Sequence, residues 1–595
     1  MVIKMNHLHT TEPVFDLNSS DIQKLQRICK NTSDIPAVLK DPVYLSLTLP
    51  GSFQTLTYYT SSWGQEFGSH EVQISSEFTF QNTKGRCSAE CAPFFTLSGK
   101  DRSIDFAICT SGNYKVHIRH CNCTATLIIS NPDSSFCTAL PSGKAYAFVQ
   151  ILAHVYHTMA ESYRTKQEYA FRTLTDHEVY HKLPVIYNHW WAYEDRHINE
   201  ELILRNAKIA HEIGVEMLVL DAGWFGNDSP TEEWYNVRGD WDHVNHIRFP
   251  HGLTWLKEQI EGMGLRFGIW CELEGLGLQS DLLRSHPEYC AMRDGQNLGY
   301  VCFGSPQVQE WAYQTMVNLF RQCGSTYWKL DFNLDPGLGC NAPGHCHGSG
   351  DGLQKHYEGL YQVLDRLQKD FPDLTIENCS SGGQRLNLEM GRHTHIHFLS
   401  DPDYSTHQMH QFKEASKWFL PRQLLHFMWS STVTTNGSSP FPGLDLNALT
   451  PGEIRYHMRL AMMHQFGISH RLTEYTKHTL ALMKGNLKQY REIIRPFVAN
   501  GVYLPLYLSE HRNVFSFTKN GDSLLLLFAE KPGTISFDLS PLLPADKAAC
   551  IYELTDLDTN TTTTFRLPKD SLMPFTSQEN WSSRLLLLQA RPHTG

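Results

Sequence analysis

No stretch of this chain holds the ~18 consecutive apolar residues that a membrane-spanning helix needs, so no membrane partner is expected. The opening residues MVIKMNHLHTTEPVFDL carry neither an apolar core nor a small-residue cleavage site. An export signal is therefore not expected, and a cytoplasmic location is. Blocks of basic residues are also missing, and the formal net charge is −11. An acidic protein repels phosphate backbones, which excludes nucleic acid as a partner class. Neither G-x-x-x-x-G-K-S/T nor G-x-G-x-x-G occurs, so nucleotide-phosphate loops and nicotinamide chemistry lose their sequence support. The 15 cysteines are odd in number and form no spacing framework, which predicts reduced thiols rather than disulfides.

What remains is a long, ordinary globular chain. Its 595 residues exceed what one core supports, so several domains are expected. Aromatics reach 12% of the residues, a composition that suits stacking on sugar rings and equally suits large cores.

Residues 1–178 show short alternating segments between turn residues: YLSLTL (44–49), FQTLTYYT (53–60), EFTFQ (77–81), YKVHIRH (114–120) and ATLIIS (125–130). This pattern predicts an antiparallel β-sandwich. Residues 506–595 repeat it with NVFSFT, SLLLLFAE, ACIYEL, TTTTFRL and RLLLLQA, predicting a small antiparallel β domain.

Between them, from 179 to 505, short apolar runs alternate with amphipathic stretches such as NEELILRNAKIAHEIG (199–214). The runs are PVIYNHW (184–190), VEMLVLDAGWF (215–225), LRFGIWCELE (265–274), YWKLDFN (327–333), LTIENCSSGG (374–383), HIHFLSDPD (395–403) and LHFMWSSTV (425–433). GISHRLTEY (467–475) is the candidate for an eighth. Continuous apolar strands joined by helices predict an α/β fold, a (β/α)₈ TIM barrel, with a doubly wound open sheet as the competing architecture.

In a barrel the C-terminal strand ends build the active site. Here they carry Trp190, Asp221, Trp270 with Glu272, the alternating set Lys329, Asp331 and Asn333, then Asn378 with Cys379, and Asp401 with Asp403. Alternation by two aims Lys329, Asp331 and Asn333 the same way. A lysine beside an aspartate favours the ionised carboxylate, as a glycosidase nucleophile requires. A second carboxyl must start protonated to act as general acid, and Asp401 beside Asp403 fits that need.

Seven segments, NHWW, VLDAGWF, the GDW…FPHGL stretch, FGIWCELE, KLDFN, ENCSSGGQR and LSDPD, occur in the order and near the spacing of α-galactosidases of glycoside hydrolase family 36. The chain resembles that melibiase-like family from about 180 to 440. The resemblance implies a retaining, exo-acting α-galactosidase that needs no cofactor and takes an oligosaccharide or glycoside substrate, in a family that often forms homo-oligomers. It assigns Asp331 as nucleophile and Asp401 as acid/base. It also places Lys329, Asp221 and Trp190 on the sugar, with Cys379 and Gly382 near its 2-substituent.

Ala222 departs from the family's Asp-Asp-Gly-Trp, Leu273 from Trp-x-Glu-Pro-Glu, and Trp191 from a usual glutamate. Shifted specificity towards α-N-acetylgalactosamine or β-L-arabinopyranose, transglycosylation, and a non-catalytic sugar-binding role therefore stand as alternatives. CNAPGHCHGSGDG brings Cys340, His345, Cys346 and His347 together, but its spacing matches no closed four-ligand pattern, so no metal is expected.

Overall fold

The computed structural model describes residues 8–591, apart from 122, 175–176, 196, 403, 429–443, 543–550 and 567–570. Eight parallel strands close into a barrel. They are β1 (Ile186–Asn188), β2 (Met217–Leu220), β3 (Arg266–Cys271), β4 (Tyr327–Leu330), β5 (Thr375–Asn378), β6 (Ile396–Phe398), β7 (Leu424–Met428) and β8 (Gln465–Ile468). Nearly every residue on them is buried, because helices cover the outside and side chains fill the inside. The open-sheet alternative fails at one pairing: β1 hydrogen-bonds to β8, with Ile186 opposite Gly467.

The TIM barrel expected from the alternation is thus present. Its eighth strand begins at Gln465, upstream of the expected 467–475 segment, and ends at Ile468. The polar tail of that segment turns away into Leu472–Glu474. Of the seventh segment, residues 429–433 lie outside the described residues.

The helices follow local rules. Asn199 caps Glu200–Ile213 by accepting from the Leu202 N–H at 2.9 Å, and Gly214 ends it at φ 106°. Ile203, Ala207 and Ala210 form its buried stripe.

Before the barrel, a four-stranded and a six-stranded antiparallel sheet share one core. Leu45, Leu47 and Leu49 alternate inward on Val43–Pro50 and meet Phe95, Leu97 and Phe106 from the other sheet. After the barrel, a six-stranded antiparallel sheet begins at Val502–Leu508. Helix Met159–Thr173 fastens to it through Gln167, whose side chain both donates to the Tyr503 carbonyl (2.6 Å) and accepts its N–H (2.8 Å). Among the described residues, no helix is long and apolar enough to cross a membrane.

Beneath the mouth of the barrel lies a buried ionic cluster. Arg385 reaches both oxygens of Glu274 at 2.8 and 2.7 Å, and His356 lies 2.9 Å from one of them. All three are fully buried. Burial pushes the Glu274 carboxyl up, but Arg385 and His356 outweigh it and hold the group below its ordinary range. Removing one partner from such a cluster strands a buried charge. Arg385→Met is expected to destabilise the protein by about 3–5 kcal/mol, read as a lowered midpoint in thermal or denaturant unfolding.

Candidate active site

The C-terminal ends of the strands open into one pocket. Trp190 follows β1, Asp221 and Ala222 follow β2, Trp270 lies on β3, and Lys329 lies on β4 with Asp331 and Asn333 just beyond it. Ser381 arrives from the loop after β5 and Asp401 from the loop after β6.

Asp331 is buried and held from three directions. Its Oδ2 accepts from the Trp270 indole N–H at 3.1 Å. Its Oδ1 accepts the backbone N–H of Phe332 (2.8 Å) and of Ser381 (3.1 Å). Burial alone raises its pKa. The nearby Lys329 charge and the donors Asn333, Trp270 and Phe332 outweigh burial, so the carboxyl sits below its ordinary value.

Lys329 makes its direct ion pair with Asp221, at 2.9 Å. Asp221 also accepts from the Asn188 amide (2.6 Å) and the Ala222 N–H (2.9 Å). Burial disfavours the Lys329 ammonium, but Asp221, Cys379, Glu377 and Asp331 more than compensate and raise its pKa.

Asp401 is the opposite case. It keeps part of its surface open to the pocket but is otherwise packed in by protein. Burial first, then the charge of Asp331, push it up to about 7, against the opposing pull of Lys329 and a hydrogen bond from Trp63. That bond, from the Trp63 indole N–H to Oδ2, measures 2.8 Å and comes from the N-terminal β domain. Asp403, invoked from the sequence as the like charge, lies outside the described residues; Asp331 and Glu66 supply like charge here.

Two carboxyl groups with opposite shifts in one pocket can divide acid and base work between them. Five tryptophans, Trp63, Trp190, Trp191, Trp234 and Trp270, line the same pocket, with Trp234 edge-on to both Trp190 (6.1 Å) and Trp270 (5.3 Å). Asn333 ties the mouth together by donating to Glu272 at 2.7 Å and accepting from the Ser381 hydroxyl at 2.8 Å.

Of the residues singled out from sequence, Trp190, Asp221, Trp270, Lys329, Asn333, Asp331 and Asp401 line the pocket together. Cys379 and Gly382 stand behind its wall. Cys379 is fully buried among Ile186, Trp191 and Phe398. Gly382 backs onto the Asp401 backbone. Sequence reasoning missed Trp63, Asp195, Trp234 and Ser381 in the lining, and Glu377 behind it. Glu377 pairs in register with Lys329, and burial pushes its carboxyl up to about 7.

The model of the Melibiase family matches residues 149–501, more than half of the chain. Alpha-galactosidase AgaA of Geobacillus stearothermophilus is 24% identical over 578 residues, covering 92% of this chain and 72% of that one. Alpha-galactosidase 2 of Pediococcus pentosaceus is 27% identical over 331 residues, covering 54% of this chain and 43% of that one. The chain therefore spans less than half the length of the Pediococcus relative. A solved structure of an AgaA variant in complex with raffinose has a TM-score of 0.79 at 20% identity, covering 96% of this chain and 79% of that chain, a likeness of fold.

Gly382 yields a test of this geometry. Its φ is +78°, and an added Cβ would lie 2.6 Å from the Asp401 nitrogen. Gly382→Ala is expected to cost at least about 1–3 kcal/mol from backbone strain alone, and to displace Asp401. A lowered unfolding midpoint, with a shift of the Asp401 carboxyl resonance in a pH titration followed by NMR, is the expected result.

Proposed function

We propose that this chain, which belongs to the melibiase family, is a retaining, exo-acting α-galactosidase that removes terminal α-galactosyl groups from oligosaccharides through a covalent glycosyl-enzyme. The observation that carries this reading is the pair Asp331 and Asp401, facing one pocket with pKa values driven in opposite directions. The relatives named α-galactosidases, one of them solved with raffinose, support the substrate class.

In this mechanism Asp331 attacks the anomeric carbon while Asp401 gives its proton to the leaving oxygen. The donors from Trp270, Phe332 and Ser381 fix the Asp331 oxygens and keep the group ionised before attack. Once the glycosyl ester forms, Asp331 loses its charge, and with it one cause of Asp401's raised pKa. Asp401 can then take the proton of the incoming water, and the product keeps its α configuration.

The sugar shell departs from the family pattern at Ala222, and the fold supports a replacement. Asp195 lines the same pocket, and a Cβ added at Gly223 would lie 2.8 Å from the Asp195 Cβ. The Asp195 Oδ2 accepts the backbone N–H of Trp234 at 3.2 Å. We infer that Asp195, which reaches the same pocket as Asp221 from a different loop, takes the part of the family's second aspartate and holds a sugar hydroxyl.

Two variants and a pH profile test this reading. Asp331→Gly should abolish turnover of p-nitrophenyl α-galactoside, with partial rescue by azide. Asp401→Ala should lower kcat/KM by about 10²–10⁴-fold for substrates with poor leaving groups and spare it for activated aryl galactosides, whose kcat should fall because hydrolysis of the glycosyl-enzyme has lost its base. Activity needs Asp331 ionised and Asp401 protonated. So kcat/KM should fall as pH rises through about 7, while the acid limb lies below the ordinary carboxylate range. An alkaline limb unchanged in Asp401→Ala, on a substrate that still needs acid assistance, would refute the assignment.

Asp195→Ala should lower kcat/KM for α-galactoside by about 10–150-fold, the equivalent of 1.5–3 kcal/mol for a lost charged hydrogen bond. The β-L-arabinopyranoside, which lacks the 6-hydroxyl, should lose less. Equal losses on both would show that Asp195 does not hold that hydroxyl.

A further inference from the structure

Two cysteines and two histidines converge outside the pocket just described. Cys302 follows the hairpin strand Gln296–Val301, between β3 and helix Pro306–Cys323. Cys340, His345 and His347 come from the loop after β4. One ligand atom from each lies within 4.8 Å of all the others. Cys302 Sγ is 3.4 Å from His347 Nε2, and Cys340 Sγ is 3.4 Å from His345 Nδ1. A tetrahedral zinc ion with ordinary Zn–S and Zn–N bonds sets its ligand atoms roughly 3.3–3.8 Å apart, so the cluster is close to that size.

The remaining ring nitrogens are already occupied. His345 Nε2 lies 2.9 Å from the Glu288 carbonyl, and His347 Nδ1 lies 2.8 Å from the Gly348 carbonyl. A carbonyl only accepts, so these nitrogens carry the protons. The other nitrogen of each ring, facing a sulfur, is left with its lone pair. This is the outer support that metal-bound histidines usually show. Cys340 Sγ in turn accepts the N–H groups of Met292 and Ala342, both at 3.4 Å, which suits a sulfur carrying negative charge. Two glycines let the chain close in: a Cβ at Gly352 would lie 1.8 Å from the Cys340 carbonyl oxygen, and one at Gly304 would lie 2.7 Å from His347 Cδ2.

We propose that Cys302, Cys340, His345 and His347 form a structural zinc site that staples the loop after β4 to the hairpin after β3. Two thiolates and two imidazoles make a soft, tetrahedral set that selects zinc among the common divalent cations. Four protein ligands leave no open position, so the ion takes no part in a reaction step. Its role is to hold Phe332, which packs with Cys302 and Cys340 in one apolar cluster and immediately follows Asp331. The segment 340–347 shows only three of these ligands; the fourth, Cys302, comes from the preceding loop, and the exposed Cys346 is not among them.

The test reads metal content, so it stands or falls separately from galactosidase activity. The full chain, purified under reducing conditions, should carry about one equivalent of zinc. Stripped with a chelator, it should bind cobalt(II) alone with thiolate-to-cobalt charge-transfer bands and tetrahedral d–d bands. Reloading with zinc should raise its unfolding temperature. Cys302→Ser and His347→Ala should each lose the equivalent, and Cys346→Ser should keep it. A stripped wild-type protein that gives no cobalt spectrum while its thiols remain reactive would overturn the proposal, leaving two thiol–imidazole hydrogen bonds in its place. A disulfide between Cys302 and Cys340 in the freshly purified protein would overturn it equally.

Discussion

One buried ammonium group organises the mouth of this barrel. Lys329 is surrounded by Asp221, Glu377 and Asp331, with Asp401 also within its field. One positive charge cannot neutralise four carboxylates in a poorly solvated site, so the groups must differ in protonation. Geometry decides which is which. Asp221 takes the direct contact. Asp331 gains enough N–H donors, besides the lysine field, to remain ionised. Glu377 has the Tyr327 hydroxyl at 2.7 Å and Asp401 has Trp63, and each moves towards its neutral form. The protonated and the ionised carboxyl of the pocket thus follow from burial acting on groups that share one positive charge.

The shortage is tuned from outside the barrel. Trp63 donates to Asp401, which favours its ionised form, while Glu66 in the same β domain opposes ionisation. Glu66 is itself fixed by the Ser400 hydroxyl at 2.7 Å, one residue before Asp401. Arg86, from the same domain, binds Asp335 at 2.6 Å and the Phe332 carbonyl at 3.1 Å, securing the chain that follows Asp331. The N-terminal sandwich is therefore part of the site: it holds the segment after the nucleophile candidate and adds two smaller, opposing influences to the proton affinity of the acid candidate.

This division explains what could be read from the sequence. Barrel strands such as Met217–Leu220 are buried on both faces, so they appear as apolar runs whose polar ends mark the pocket. That made Asp221, Asp331 and Asp401 legible, because each sits just past a run, and alternation with Asp331 marked Lys329 within β4. Strand β8 was half-misplaced because its run, Gln465–Ile468, is short and starts with a polar residue. Trp63 carried no signal at all: it belongs to a turn in another domain, hundreds of residues from Asp401. Glu377 was hidden for a different reason. It lies within the TIEN strand rather than at its end, and only the pairing of β4 with β5 brings it beside Lys329.

Spacing along the chain reports where the backbone turns, not which turns meet. The second aspartate expected at Ala222 is missing by position, yet Asp195 stands against Gly223 from the loop after β1. A hydroxyl responds to a carboxylate at the right point in space and is indifferent to the residue number that delivers it. The cysteine and histidine cluster follows the same logic, since its fourth member comes from another loop than the other three. In a barrel, eight loops converge on one rim, so any two neighbouring loops can complete a constellation that neither contains alone. Departures from a family's linear motif at the rim therefore call for a search of the adjoining loops before a lost function is inferred.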